Sequence, residues 1–154
     1  MSVTILIQSQ DFSQTDEYQT LISDAPQIGA IVTFTGLVRD FDDGQGRGLF
    51  LEHYPAMTEK VLSSISEQAA QRWPIINSRI IHRIGELALG EQIVFVGVNS
   101  AHRDAAFNAC KFIMDFLKTE APFWKKALTT KSDYWIDAKD SDQDAKNTWD
   151  NQQN

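Results

Sequence analysis

The chain has 154 residues, of which 42% are hydrophobic, and these values predict one domain with a sizeable core. A net charge of −7 argues against non-specific binding to nucleic acid or to an anionic membrane. Cys110 is the single cysteine, which excludes an internal disulfide and argues against a Cys-based zinc site. The absence of a basic leader and of a long apolar run predicts a cytoplasmic protein.

The first half of the chain alternates strand and helix patterns. Runs rich in β-branched residues predict three strands, over residues 3–8, 29–38 and 49–54. Ser13 or Thr15 is expected to cap a short helix that ends near residue 22. Apolar residues at three- and four-residue spacing predict a helix opened by Pro55 and ended by Pro74.

Residues 40–48 contain alternating glycines, a composition that would also suit a phosphate-binding loop. No helix follows directly, so the geometry of a phosphate loop is absent. We therefore interpret this segment as a mobile hairpin loop.

The second half predicts a strand over residues 77–84, a turn over 85–90 and a strand over 91–99 that is buried on both faces. A helix over residues 101–117, capped by Ser100, follows. Two short strands are expected over 126–129 and 133–136. Strands interleaved with two long helices indicate an α+β or α/β fold with a mixed sheet.

The stretch from Lys118 to Lys126 is the main candidate site. Pro122 must end the preceding helix, so Lys118 is expected in or just after its last turn, with Lys125 at the start of a strand. Two lysines on either side of a rigid turn can converge. Such a pair can bind a phosphate or carboxylate, or can yield a base or nucleophile if desolvation lowers a lysine pKa. The alternative is two surface lysines that frame a turn.

His102 and Arg103 open the same helix and suit an anion near its N-terminus. They lie roughly 24 Å from Lys118 at the rise of an α-helix, so one pocket of one chain cannot contain both ends. Either there are two sites, or a second subunit brings the ends together. Arg39, at a strand end, is a further candidate cation. The three histidines show no metal-ligand spacing, and their expected role is hydrogen bonding.

Three ordered segments resemble the family of large, catalytic subunits of molybdopterin synthase. They are LEHYPAMTEK (51–60), HRIGEL (82–87) continuing through GEQIVFVGVNSAHR (90–103), and FIMDFLK (112–118) continuing through APFWKK (121–126). The resemblance covers roughly residues 3–145. It implies an α+β fold of the α/β hammerhead type, with a mixed, largely antiparallel sheet, two long helices and a small β-rich sub-domain. We expect one catalytic domain over residues 1–137 and a polar, acidic tail over 138–154 that is partly helical or disordered.

The resemblance also implies a reaction. Enzymes of this family are sulfurtransferases of molybdenum cofactor biosynthesis that convert cyclic pyranopterin monophosphate to molybdopterin. The sulfur comes from the thiocarboxylated C-terminus of a small ubiquitin-like subunit, within a heterotetramer built around a dimer of large subunits. No metal and no cofactor is implied for this step.

By motif position, Lys118 and Lys125 are the implied catalytic residues, Lys118 as the base or tail-contacting group and Lys125 as support for the substrate and developing charge. The implied substrate-binding set contains these two lysines together with Leu37, Val38, Arg39, His102, Arg103, Lys126 and Ala127. In the implied dimer, His102 and Arg103 reach a pocket of the neighbouring subunit.

The chain departs from the family pattern at several positions. The family commonly has a basic residue where this chain has Leu37, and a glutamate where it has Ala127. An arginine is usual where this chain has Lys139, and lysine loses the bidentate contact to phosphate. Two alternatives stay open, and the departures at Ala127 and Lys139 favour the first of them. One is a module that binds a ubiquitin-like tail without turnover, and the other is an unrelated domain that binds a phosphorylated metabolite.

Overall fold

The computed structural model describes residues 2–22, 26–137 and 140–150. The first of its two sheets forms the centre of the fold. Its four strands lie in the order β1-β4-β6-β2. Their bounds are β1 Ser2–Gln8, β2 Ala30–Leu37, β4 Ile75–Arg83 and β6 Gln92–Ser100. β1 is parallel to β4, whereas β6 is antiparallel to both β4 and β2. The sheet is therefore mixed and largely antiparallel.

Helices cover both faces of this sheet. α2 (Met57–Arg72) and α3 (Arg103–Glu120) pack on one face, and α1 (Gln14–Ile22) packs on the other. Because side chains alternate along a strand, Val94 and Val96 of β6 face α2 and α3 while Phe95 faces α1 with Leu21. The burial of β6 on both faces, expected from its apolar centre, is confirmed.

The second sheet has the order β5-β3-β7-β8. Its strands are β3 Gly46–His53, β5 Gly85–Ala88, β7 Phe123–Thr129 and β8 Tyr134–Ile136, all antiparallel. The prediction of a plain turn over residues 85–90 is wrong, because residues 85–88 pair with β3. Sequence pattern missed β5 since this strand is short and has no β-branched residue.

The strand β3 also begins earlier than predicted, at Gly46, inside the segment interpreted as a loop. At Gly48 a Cβ atom would lie 2.1 Å from the carbonyl oxygen of Leu87, so glycine permits the close approach of β5. The loop before it is organised by Asp40, whose carboxylate accepts hydrogen bonds from the backbone N–H groups of Asp42, Gly44 and Gly46.

Two predicted helix starts are corrected. Ser100 does not cap α3: it ends β6 and its hydroxyl donates to the carbonyl of Pro74 at 2.9 Å, while His102 occupies the N-cap. Pro55 does not open α2, because Ala56 has a φ of 67° and the helix begins at Met57. For α1, the hydroxyl of Ser13 accepts the N–H of Asp16 at 3.2 Å.

A fourth helix, α4 (Asp140–Asp150), packs against α3. Trp149 is 5% exposed, and its indole N–H donates to the carboxylate of Asp115 at 2.7 Å. Residues 138–139, including the departure at Lys139, and residues 151–154 lie outside the described residues. No helix within the described ranges is both long enough and apolar enough to cross a bilayer.

Candidate active site

Two adjoining cavities, of about 330 and 230 Å³, lie where the end of α3 meets both sheets. The residues that line both cavities are Leu37, Ile93, Lys118, Phe123 and Lys125. The two lysines singled out from the sequence are therefore brought together, and they lie at the boundary between the cavities.

The end of α3 places the first lysine. Lys118 is in the last turn, because α3 continues to Glu120 and the backbone becomes extended at Ala121, before Pro122. Thr119 closes this turn, since its hydroxyl donates to the carbonyl of Asp115 at 3.1 Å. The ammonium of Lys118 thus extends from a helix end that local hydrogen bonds fix.

The strand β7 places the second lysine. Phe123 and Lys125 are two residues apart, so their side chains lie on the same face of β7, and both border the cavities. Lys126 lies on the opposite face, with its ammonium 5.4 Å from the centre of the Trp135 ring. Adjacent lysines therefore have different surroundings.

The remaining predicted residues fall into three groups. Arg39 borders the second cavity, and its guanidinium lies 4.2 Å from the centre of the Phe41 ring. Val38 and Ala127 are buried next to the site but do not line either cavity. His102 and Arg103 are exposed at the far end of α3 and do not border these cavities in the single chain.

His82 is the residue that the sequence interpretation left without a role in the site. It lies on β4, it is 3% exposed, and it lines the first cavity. Its ring stacks on Phe123 with centroids 3.8 Å apart and planes at 16°. Burial, followed by the charges of Lys125 and Lys118, lowers the pKa of His82 to about 3. The sequence signal for a role of His82 was a histidine directly after two isoleucines in a predicted strand.

The charges around the second cavity have both signs. Asp137 and Asp142 line it together with Arg39, Lys118 and Lys125. Three cations at one mouth favour an anionic ligand, and the two carboxylates limit how much negative charge that ligand brings. Within the described residues, no cluster of three or more His, Cys, Asp or Glu side chains could hold a metal ion. The arrangement suits binding and electrostatic stabilisation of anionic groups.

Comparisons with known proteins show which family the chain resembles. Residues 7–120 match the family described as "MoaE protein". The chain is 55% identical over 150 residues to the molybdopterin synthase catalytic subunit of Vibrio cholerae, covering 97% of this chain and 99% of that protein.

Solved structures show the same fold. The molybdopterin biosynthesis MoaE protein from Burkholderia ambifaria superposes with a TM-score of 0.83 at 45% identity, covering 97% of this chain and 99% of the other. Molybdopterin synthase from Staphylococcus aureus gives 0.77 at 32% identity, covering 87% and 96%. The α+β fold and the resemblance seen in the sequence are thereby confirmed, and the chain belongs to the MoaE protein family.

Proposed function

We propose that this chain is the catalytic subunit of a molybdopterin synthase. In this role it transfers sulfur from the thiocarboxylated C-terminus of a small ubiquitin-like subunit to cyclic pyranopterin monophosphate, forming the dithiolene of molybdopterin. The observation that carries the proposal is the convergence of Lys118 and Lys125 between two adjoining cavities. Two cavities that share a charged boundary suit a reaction between two bound groups, here the tail and the pterin.

The chemistry of Cys110 supports a sulfur donor on a partner. Burial raises the pKa of this thiol to about 12, so it is not a thiolate at neutral pH. Its Sγ lies 3.8 Å from the carbonyl oxygen of Val96, away from both cavities. The chain therefore has no cysteine suited to carry the sulfur, which is consistent with delivery on a second polypeptide and with work in the cytoplasm.

The cations of the site have separate tasks in this proposal. Lys118, at the helix end, contacts the thiocarboxylate of the tail or acts as the base. Lys125 supports the substrate and the negative charge that develops as the carbon–sulfur bond forms. Arg39, at the mouth of the second cavity, binds the substrate phosphate.

We further propose that the site is completed by a second copy of the chain. Among the described residues β2 pairs only with β6, so its other edge is open. Next to this edge lies an apolar groove formed by β2 and α3, where Phe34 and Phe107 are 40% and 61% exposed. An open edge beside exposed aromatic rings is a suitable surface for self-association.

The register of β2 explains how such a dimer would serve catalysis. Ala30 pairs with Ser100, so the start of β2 lies near His102 and Arg103, while Leu37 at its end borders the cavities. If two copies of β2 meet antiparallel about a two-fold axis, the start of one lies beside the end of the other. His102 and Arg103 then reach the partner's cavities, because β2 and the span from His102 to Lys118 are both about 24 Å long.

A reconstitution tests the proposed function. The chain is mixed with a thiocarboxylated small subunit and cyclic pyranopterin monophosphate, and molybdopterin is assayed. We expect product from the native chain and from Lys60→Ala, an exposed lysine of α2, and none from a folded Lys118→Ala variant. A stable complex without product would instead indicate a tail-binding module without turnover. Absence of any complex would contradict the proposal and favour binding of a phosphorylated metabolite alone.

A further inference from the structure

His82 occupies a position of β4 at which the core pattern predicts an apolar side chain. Ile80, two residues earlier on the same face, is fully buried in the cluster formed with α2 and α3. An imidazole at such a position is stable only if both of its ring nitrogens find hydrogen-bonding partners. The chemistry of those two nitrogens therefore indicates what His82 does.

The first nitrogen fixes the tautomer. Nδ1 lies 2.8 Å from the backbone carbonyl oxygen of Arg83. A carbonyl oxygen accepts only, so Nδ1 carries the hydrogen and donates it. The ring is neutral, because its charged form is disfavoured by burial and by the neighbouring lysines. Nε2 consequently holds a lone pair and can act only as an acceptor.

The surroundings of the ring favour Lys125 as the donor for Nε2. Phe123 stacks on the imidazole and restricts its rotation. Lys125 is on the same face of β7 as Phe123, and it exerts the largest of the charge effects on His82, ahead of Lys118. An ammonium carries three donors, and an imidazole lone pair is a suitable acceptor for one of them.

We propose that His82 is a positioning residue for the reaction, whose Nε2 accepts a hydrogen bond from the ammonium of Lys125 and holds that group where the two cavities meet. The role in catalysis rests on the proposed function, whereas the hydrogen bond does not. A neutral acceptor has a specific advantage here. A carboxylate that orients an ammonium also neutralises it, whereas an imidazole orients the ammonium without adding negative charge to the site.

Three substitutions separate positioning from packing. His82→Asn keeps a donor near the place of Nδ1 but has no acceptor near that of Nε2, while His82→Gln can place its amide oxygen there. His82→Phe keeps an aromatic ring against Phe123 and removes both polar atoms. We expect kcat for molybdopterin formation to fall about 10- to 100-fold in the Asn and Phe variants, with the affinity for the small subunit unchanged. Most of the rate should return in the Gln variant.

Equal rates for His82→Asn and His82→Gln, or a native rate for His82→Phe, would overturn the proposal. Circular dichroism and urea unfolding of each variant identify any loss of rate that follows from loss of fold. If the native chain forms no product, the proposed function fails, and the hydrogen bond is then decided by a measurement that needs no turnover.

That measurement is the ¹⁵N NMR spectrum of His82 in the native full-length chain. We expect a neutral ring with hydrogen on Nδ1, and an Nε2 resonance that moves in Lys125→Met but stays in Lys126→Met, the neighbour on the opposite face of β7. An Nε2 resonance that is unchanged in Lys125→Met, or that responds to Lys118→Met instead, would show that Lys125 is not the donor.

Discussion

Mixing two inactive variants tests whether His102 and Arg103 act across a dimer. Arg103→Ala removes a cation from the far end of α3, and Lys118→Ala removes the lysine at the near end. In a mixed dimer, one site combines the intact Lys118 of the first protomer with the intact Arg103 of the second. The other site lacks both residues.

The expected recovery follows from the symmetry of the dimer. If equal amounts of the two variants exchange freely, about half of the dimers are mixed, and each mixed dimer has one complete site of two. The mixture should then form molybdopterin at about a quarter of the native rate, whereas each variant alone stays near background. Subunit exchange is verified by native mass spectrometry with one variant isotope-labelled.

A different outcome would refute the shared site. If Arg103 served the pocket of its own chain, every site in every mixture would lack one residue, and no activity would return. If Arg103→Ala alone kept the native rate, Arg103 would have no part in the reaction. The control is the double variant, with Lys118→Ala and Arg103→Ala in one chain. Mixed with either single variant it should restore no activity, because no site of the mixed dimer then has both an intact Lys118 and an intact Arg103.

The other predictions concern stability and the two faces of β7. The pKa of His82 is about 3 in the folded chain against 6.5 ordinarily, so unfolding takes up about one proton at pH values between these two. Stability is therefore lost as the pH falls below 6.5. The urea midpoint should fall more steeply from about pH 7 to about pH 5 for the native chain than for His82→Phe. Trp149→Ala should cost about 3–5 kcal/mol in urea unfolding, and Trp149→Phe less, because Trp149 is 5% exposed; equal losses would contradict this packing argument. Lys125→Ala should slow product formation about 100-fold and Lys126→Ala far less, because only Lys125 borders the cavities; similar rates would show that Lys126 reaches the substrate.

The convergence of Lys118 and Lys125 could be predicted because its causes are local. The helix α3 ends at Glu120, two residues before Pro122, and β7 begins directly after that proline, at Phe123. Local rules of helix termination and strand alternation are sufficient to place two side chains seven positions apart on one side of a turn. The same rules left open whether the two lysines share a pocket or only frame a turn.

The walls of the cavities could not be predicted in the same way. The first cavity includes the end of β2, which reaches the site only because Gly36 pairs with Val94 across the sheet. The edge strand β5 of the second sheet lies in a segment that the sequence pattern predicted to be a turn. His82 contributes through a stack on Phe123, a contact between distant segments. Periodicity specifies which face of a strand is apolar, but it does not specify which strands become neighbours.

The distribution of ion pairs explains how an acidic chain can offer a cationic site. Carboxylates pair with cations that stabilise the fold, as in Arg79 with Glu17 and Lys111 with Asp115. Within the described residues, none of the ion pairs includes Lys118 or Arg39.

These two cations therefore keep their charge for a ligand. In the proposed arrangement, the neutral imidazole of His82 orients the ammonium of Lys125 without adding negative charge to the site. The excess of acidic residues elsewhere then has little influence on the site, because charges separated by more than a Debye length of about 8 Å are largely screened. A chain of net charge −7 can thus present three cations, Arg39, Lys118 and Lys125, at one cavity, where the carboxylates of Asp137 and Asp142 partly offset them.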